Sequence, residues 1–141
     1  MNILFVENDL LFAKVAAKNI TRFGARKVYI TAAPDRLFKW CRQGDIDLVL
    51  IDINLPGFRW KDFPVSGIEL TRTLKDDPRT RGIPIILMST YAMRSQKSKL
   101  LEVSKADYFW TKPISNYDKL IEKMEQLTEQ NTSIEKMALR C

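Results

Sequence analysis

Histidine is absent from all 141 residues. That absence excludes every scheme in which imidazole serves as the base, Ser-His-Asp and Cys-His arrangements among them. It also means that the chain carries no phosphohistidine of its own. Cysteine is scarce: Cys41 and Cys141 lie far apart, in no metal-ligand spacing, so neither a disulfide framework nor a zinc site is expected. Cys41 falls in an apolar-patterned helix and is expected as a buried thiol, and Cys141, the last residue, as an exposed one. Long apolar runs are missing, since nothing approaches the roughly 20 residues needed to cross a bilayer. The start, Met1-Asn2-Ile3-Leu4-Phe5-Val6, lacks the basic residues and small-residue cleavage site of a signal peptide and reads as a strand. A cytoplasmic chain without membrane association is the expectation. No repeat, low-complexity tract or linker interrupts the sequence.

What is present is ordinary for one globular domain with one core: 45% of the residues are hydrophobic. The formal charge of +6 is compatible with nucleic acid, an anionic surface or an acidic protein partner, and on its own is best read as a solvated, mildly basic exterior.

Short apolar runs alternate with helical stripes. Strands are expected at Asn2–Val6, Lys27–Thr31, Asp47–Ile51, Pro84–Met88 and Tyr108–Thr111. The first, third and fourth are nearly continuous in apolar character, as in parallel strands covered on both faces. The first helix is expected to start at an Asp9 cap and stop at Gly24, with Phe12, Ala16, Ile20 and Phe23 inward. The second runs from Pro34 to about Gln43. The third opens on the capping box Ser66-Gly-Ile-Glu69 and ends before Pro78, and the fourth covers roughly Tyr91 to Val103. The fifth follows Ser115 and turns Tyr117, Leu120, Ile121, Met124 and Leu127 to one side. Alternating strands and helices of this length predict an α/β fold, an open parallel sheet with helices on both faces. Its functional site is expected beyond the carboxyl ends of the strands, where strand order reverses.

The residues at those ends fit one chemistry. Strand one delivers Glu7, Asn8 and Asp9, strand three Asp52, strand four Ser89 and Thr90, and strand five Lys112. A carboxylate can act as nucleophile and form an acyl phosphate. Oxygen ligands can hold Mg²⁺ against phosphate oxygens, while an ammonium and a hydroxyl stabilise the remaining charge.

Five segments, in order, carry a resemblance that spans almost the whole chain from Asn2 to about Gln130: Ile3-Leu-Phe-Val-Glu-Asn-Asp9, Asp47-Leu-Val-Leu-Ile-Asp52-Ile-Asn-Leu-Pro-Gly57, Ser66-Gly-Ile-Glu-Leu70, Ile83-Pro-Ile-Ile-Leu-Met-Ser89 and Ala106-Asp-Tyr-Phe-Trp-Thr-Lys-Pro113. Together they resemble the receiver domain of two-component response regulators. The resemblance implies a doubly wound, flavodoxin-like sheet of order 2-1-3-4-5, with a receiver domain over residues 1–130 and a tail over 131–141. It implies Asp52 as phosphoacceptor, Lys112 as the essential lysine ahead of a cis Pro113, and Ser89 as the hydroxyl that follows the phosphoryl group. Mg²⁺ would be held by Glu7, Asn8, Asp52 and the backbone carbonyl of Asn54. The side chains of Asn54 and Tyr91 would tune the lifetime of the phosphorylated state, and Phe109 would be an aromatic switch alongside Ser89. Partners implied are a histidine kinase or phosphotransfer protein and a downstream protein target met through the fourth helix, fifth strand and fifth helix. The chain is expected as a monomer or homodimer, without direct nucleic-acid binding and without an enzymatic activity beyond its own phosphorylation and dephosphorylation.

Three departures from the family pattern stand out. Asn8 replaces the second acidic residue expected after strand one, which lowers the negative charge of the metal site, and Asp9 is expected to cap the helix rather than replace it. The connection Phe58-Arg-Trp-Lys-Asp-Phe-Pro-Val65 is long and sets Phe58, Trp60 and Phe63 near the rim as a lid, as partner contacts, or as a loop folded back on the third helix. Arg94, Lys97 and Lys99, with Lys105 nearby, make the fourth helix basic, which would suit an acidic target. Thr132-Ser-Ile-Glu135 is a further capping-box pattern, and the tail reads either as a short extra helix or as frayed chain, too short for a DNA-binding or catalytic output domain. Two alternatives to the phosphorylated receiver stay open: a receiver that binds partners without phosphorylation, for which Asn8 argues, and a small aspartate-nucleophile phosphatase. The phosphatase reading lacks its usual second aspartate, because that position is Asn54.

Overall fold

The computed structural model describes residues 1–22, 26–90 and 95–140, with side chains described as far as residue 130. Phe23, Gly24, Tyr91, Arg94 and Cys141, each singled out from the sequence, lie outside the described residues. The chain runs β1 (Asn2–Val6), α1 (Leu10–Thr21), β2 (Lys27–Thr31), α2 (Pro34–Arg42), β3 (Leu48–Asp52), β4 (Arg59–Trp60), β5 (Phe63–Pro64), α3 (Gly67–Asp76), β6 (Ile85–Thr90), α4 (Lys97–Ser104), β7 (Tyr108–Lys112) and α5 (Tyr117–Arg140).

Five strands form one parallel sheet of order β2-β1-β3-β6-β7, the doubly wound order expected, with the small β4–β5 pair outside it. Alternation along the central strands feeds two apolar cores. Leu4, Val6, Val49, Ile51 and Leu87 pack under α2, α3 and α4, and Ile3, Phe5, Leu50, Ile86 and Met88 under α1 and α5. Burial on both faces explains why the central strands read as unbroken apolar runs.

The helix starts follow local chemistry. Asp9 accepts a hydrogen bond from the Phe12 N–H at 3.0 Å and so caps α1, as expected. Pro34 opens α2, and Ser66 with Glu69 forms the capping box of α3. Buried Cys41 has its thiol pushed up to about 12 by desolvation, which makes it inert at neutral pH.

Several elements differ from expectation, among them α4, which starts at Lys97 rather than near Tyr91. Strands β3, β6 and β7 each reach further than their apolar runs, so that Asp52, Ser89 and Lys112 are strand residues rather than loop residues. Backbone pairing with neighbours at Asp52–Met88, Ser89–Thr111 and Thr90–Lys112 carries the strands past the point where side-chain polarity changes. Residues 58–65 are not a loose loop: Arg59–Trp60 and Phe63–Pro64 pair antiparallel around Lys61 and Asp62, both at positive φ, 51° and 67°. This hairpin packs on α2, with the Trp60 ring 4.5 Å from that of Phe38, and Trp60 also packs against the core that holds Leu70 and Leu74 of α3. Finally, α5 continues without a break to Arg140, so the pattern at Thr132 extends a helix instead of starting one.

Candidate functional site

β1 and β3 are adjacent at the centre of the sheet, and the chain leaves them toward opposite edges. The crevice above their carboxyl ends is therefore the topological switch point. Asp52 ends β3 and Glu7 follows β1; their exposures are 4% and 1%. Lys112, the last residue of β7, reaches across to both: its Nζ donates to Asp52 Oδ2 at 2.6 Å and to Glu7 Oε2 at 2.8 Å. The Lys112–Pro113 peptide is cis. The remaining oxygens are also engaged. Asp52 Oδ1 accepts from the backbone N–H of Asn54 at 3.0 Å, and Glu7 Oε1 from that of Asp9 at 3.1 Å.

Two buried carboxylates around one ammonium leave the group with an excess of negative charge. Burial, together with the hydrogen bond to Asp52, holds the Glu7 carboxyl above its ordinary range. Burial alone would lower Lys112, but its hydrogen bonds to Asp52 and Glu7 outweigh that and hold it above the ordinary lysine value. An ammonium held in its charged form at neutral pH thus sits against an aspartate oxygen, a suitable place for phosphate charge to develop.

Ser89 is buried at the carboxyl end of β6, one residue beyond Met88, which is in register with Asp52. Gly67 shapes the floor. Its N–H donates to the Ile53 carbonyl at 3.0 Å, and a Cβ there would lie 2.1 Å from the carbonyl oxygen of Asp52, so the helix start meets the acceptor strand only because residue 67 has no side chain. Asn8 and Asn54 are exposed at the rim. Phe109 is buried in the core under α3 and α4, with Leu87 and Leu100 in the same cluster.

The donor set can be tested against a metal. Among the described residues no three of His, Cys, Asp and Glu cluster as a metal group. Glu7 and Asp52 still supply two oxygen-donor carboxylates, and Asn8 and Asn54 supply neutral oxygens nearby. Mg²⁺ is commonly held by one or two carboxylates while water and phosphate fill the other positions. The residues fit such an ion, with less negative charge than an aspartate at position 8 would give.

The proposed contact residues divide. Phe58 is 6% exposed and part of the core, which corrects its assignment as a partner contact. Trp60 is partly buried against that core, whereas Phe63 is 71% exposed. Lys97 and Lys99 are exposed, and the Lys97 ammonium lies 5.4 Å from the centre of the Tyr108 ring. Lys105 is engaged internally by Asp76 at 2.6 Å and adds little to a free basic face. One residue at the site was not legible as such: Phe12, placed inward on α1 by its spacing, has its ring centre 4.4 Å from Lys112 Nζ. Spacing showed that the ring turns inward; nothing in the sequence showed that it meets the lysine.

The family model of the response regulator receiver domain matches residues 3–125. Among curated proteins, the chain is 30% identical over 143 residues to the cyclic di-GMP phosphodiesterase response regulator RpfG of Xanthomonas campestris pv. campestris (strain 8004), covering 99% of this chain but 35% of that protein. It is 31% identical over 114 residues to the polar-differentiation response regulator DivK of Brucella abortus (strain S19), covering 81% of this chain and 85% of that one. Among solved structures, a CheY-like receiver domain protein from Methanospirillum hungatei JF-1 superposes with a TM-score of 0.74 at 24% identity, covering 94% and 96% of the two chains, a likeness of fold. No helix among the described residues is long and apolar enough to cross a membrane.

Proposed function

The chain belongs to the response regulator receiver domain family of two-component signalling, and on that premise we propose that Asp52 accepts a phosphoryl group from a phosphohistidine on a kinase or phosphotransfer protein. The observation that carries the reading is the Lys112 ammonium bridging Asp52 and Glu7 at the switch point of the sheet. An Asp52 oxygen attacks phosphorus, the P–N bond of the donor breaks, and the imidazole leaves with the bonding pair, which leaves an acyl phosphate on residue 52. Lys112 then pairs with a phosphoryl oxygen, and the Ser89 hydroxyl on the neighbouring strand donates to another. Glu7, Asp52, the Asn54 carbonyl and the Asn8 amide oxygen would hold Mg²⁺, which when bound would supply positive charge against the transferred group.

The response passes to the face formed by α4, β7 and α5. Ser89 and Phe109 lie on the adjacent strands β6 and β7, so a displacement of the hydroxyl can reach that face through the sheet. Partners respond only insofar as they bind the two forms differently. Lys97 and Lys99 favour an acidic surface on the target. Turnover of an unrelated phosphomonoester is not expected, since Asn54 cannot serve as the second acid.

Incubation with a small phosphodonor and Mg²⁺, read by intact mass, tests the reading. One added phosphoryl group is expected in the wild type, and none in Asp52→Ala or in chelator. No addition at saturating metal would instead favour a receiver that binds partners unphosphorylated, the reading that Asn8 supports.

A further inference from the structure

Lys112 is held by more than its two carboxylates. An ammonium has three N–H donors. Asp52 Oδ2 and Glu7 Oε2 take two of them, and on a further side the Nζ stands 4.4 Å from the centre of the Phe12 ring. At that range a cation is drawn to an aromatic face, most strongly where water is largely excluded. The lysine side chain is only 16% exposed.

Phe12 is itself fixed from two directions. Its backbone N–H is the donor to the Asp9 cap, which sets it in the first turn of α1. Its ring meets that of fully buried Phe5 edge to face, at 6.0 Å and 80°. β1 thus leads into the Glu7 carboxylate and, through Phe5, supports the Phe12 ring that meets the same ammonium.

We propose that Phe12 is a positioning residue for Lys112, holding the ammonium over the site while it exchanges a carboxylate partner for a phosphoryl oxygen. The inference rests on Asp52 being the acceptor. A hydrogen bond to a carboxylate is lost when the ammonium turns away, whereas attraction to a ring face tolerates rotation. The ring therefore keeps the charge in place between its two sets of partners, and its apolar body excludes water from the same side.

The test compares Phe12→Leu, which keeps apolar bulk without an aromatic face, with Phe12→Tyr, which keeps the face. With a small phosphodonor and Mg²⁺, the initial rate of phosphoryl uptake is expected to fall about five-fold in Phe12→Leu and to stay near wild type in Phe12→Tyr, with the urea midpoint of both checked. Equal rates in all three proteins overturn the proposal, and so does an equal fall in both variants, which would mark a packing role alone. A second readout needs neither phosphorylation nor a variant that folds. The ε-methylene protons of Lys112 in the wild-type protein are expected upfield, shifted by the Phe12 ring current, and unshifted protons overturn the proposal. If the wild type takes up no phosphoryl group, the Asp52 reading fails, and the ring-current shift alone decides whether Phe12 holds the ammonium.

Discussion

An amide in place of a carboxylate changes charge while hardly changing volume, and Asn8 makes that exchange at the rim of a site that already holds two buried acids and one ammonium. The negative charge missing there is one that a divalent cation would feel directly. Asn8→Asp is therefore expected to tighten Mg²⁺ binding about ten-fold or more, read by the quenching or shift of tryptophan emission on titration. Unchanged affinity would place residue 8 outside the metal's reach. Gly67 is the opposite case, a residue defined by what it lacks. Gly67→Ala forces a methyl group onto the Asp52 carbonyl and is expected to cost about 2 kcal/mol or more in urea unfolding. A neutral result would mean that α3 can retreat from β3 without penalty.

The hairpin of β4 and β5 shows how an element can be stable and still poorly legible. Its alternation is only two residues long on each side, and its turn is built from Lys61 and Asp62, of which only the aspartate is common in a left-handed conformation. Lys61→Gly is expected to stabilise the protein by about 0.5 kcal/mol, the relief of a left-handed lysine exceeding the entropy that glycine adds to the unfolded chain, and a loss of stability would contradict the assigned turn. The three aromatics of the segment read alike in sequence yet meet different fates, because the strand pairing sends Phe58 into the core, lays Trp60 on Phe38 and leaves Phe63 in water. At the far end of α3, Asp77 is held down to about 2 by its hydrogen bonds with Arg79, with Arg42 of α2 also near at 3.6 Å. Its folded value lies below the ordinary 3.8, so its contribution is complete above that value and is lost as pH falls through about 2. The deficit of Asp77→Asn in urea midpoint is therefore expected to be largest at neutral pH and to narrow on acidification. A deficit independent of pH would mean that the ion pair is not its source.

For the molecule as a whole, the sequence exposes the strands and the rim because both depend on short-range signals: apolar runs for the sheet, and single polar residues at the ends of those runs for Glu7, Asp52, Ser89 and Lys112; the order of the strands is implied only by the family resemblance. What it hides depends on contacts between distant segments. The approach of Phe12 to Lys112 spans α1 and β7, and the seat of the hairpin on α2 is fixed by packing rather than by pattern. The unbroken course of α5 to Arg140 hides for a different reason, because a capping-box pattern can begin a helix or simply lie within one. These parts meet in one claim, that a buried aspartate beside a shared ammonium takes up phosphate. The most direct measurement is to phosphorylate the protein, reduce it with borohydride and map the modified residue by peptide mass. An acyl phosphate on Asp52 is converted to homoserine, so the account predicts homoserine at position 52 and at no other acidic position. Reduction at Glu7 or Asp9, or an unmodified Asp52 in protein that has gained phosphate, would contradict it.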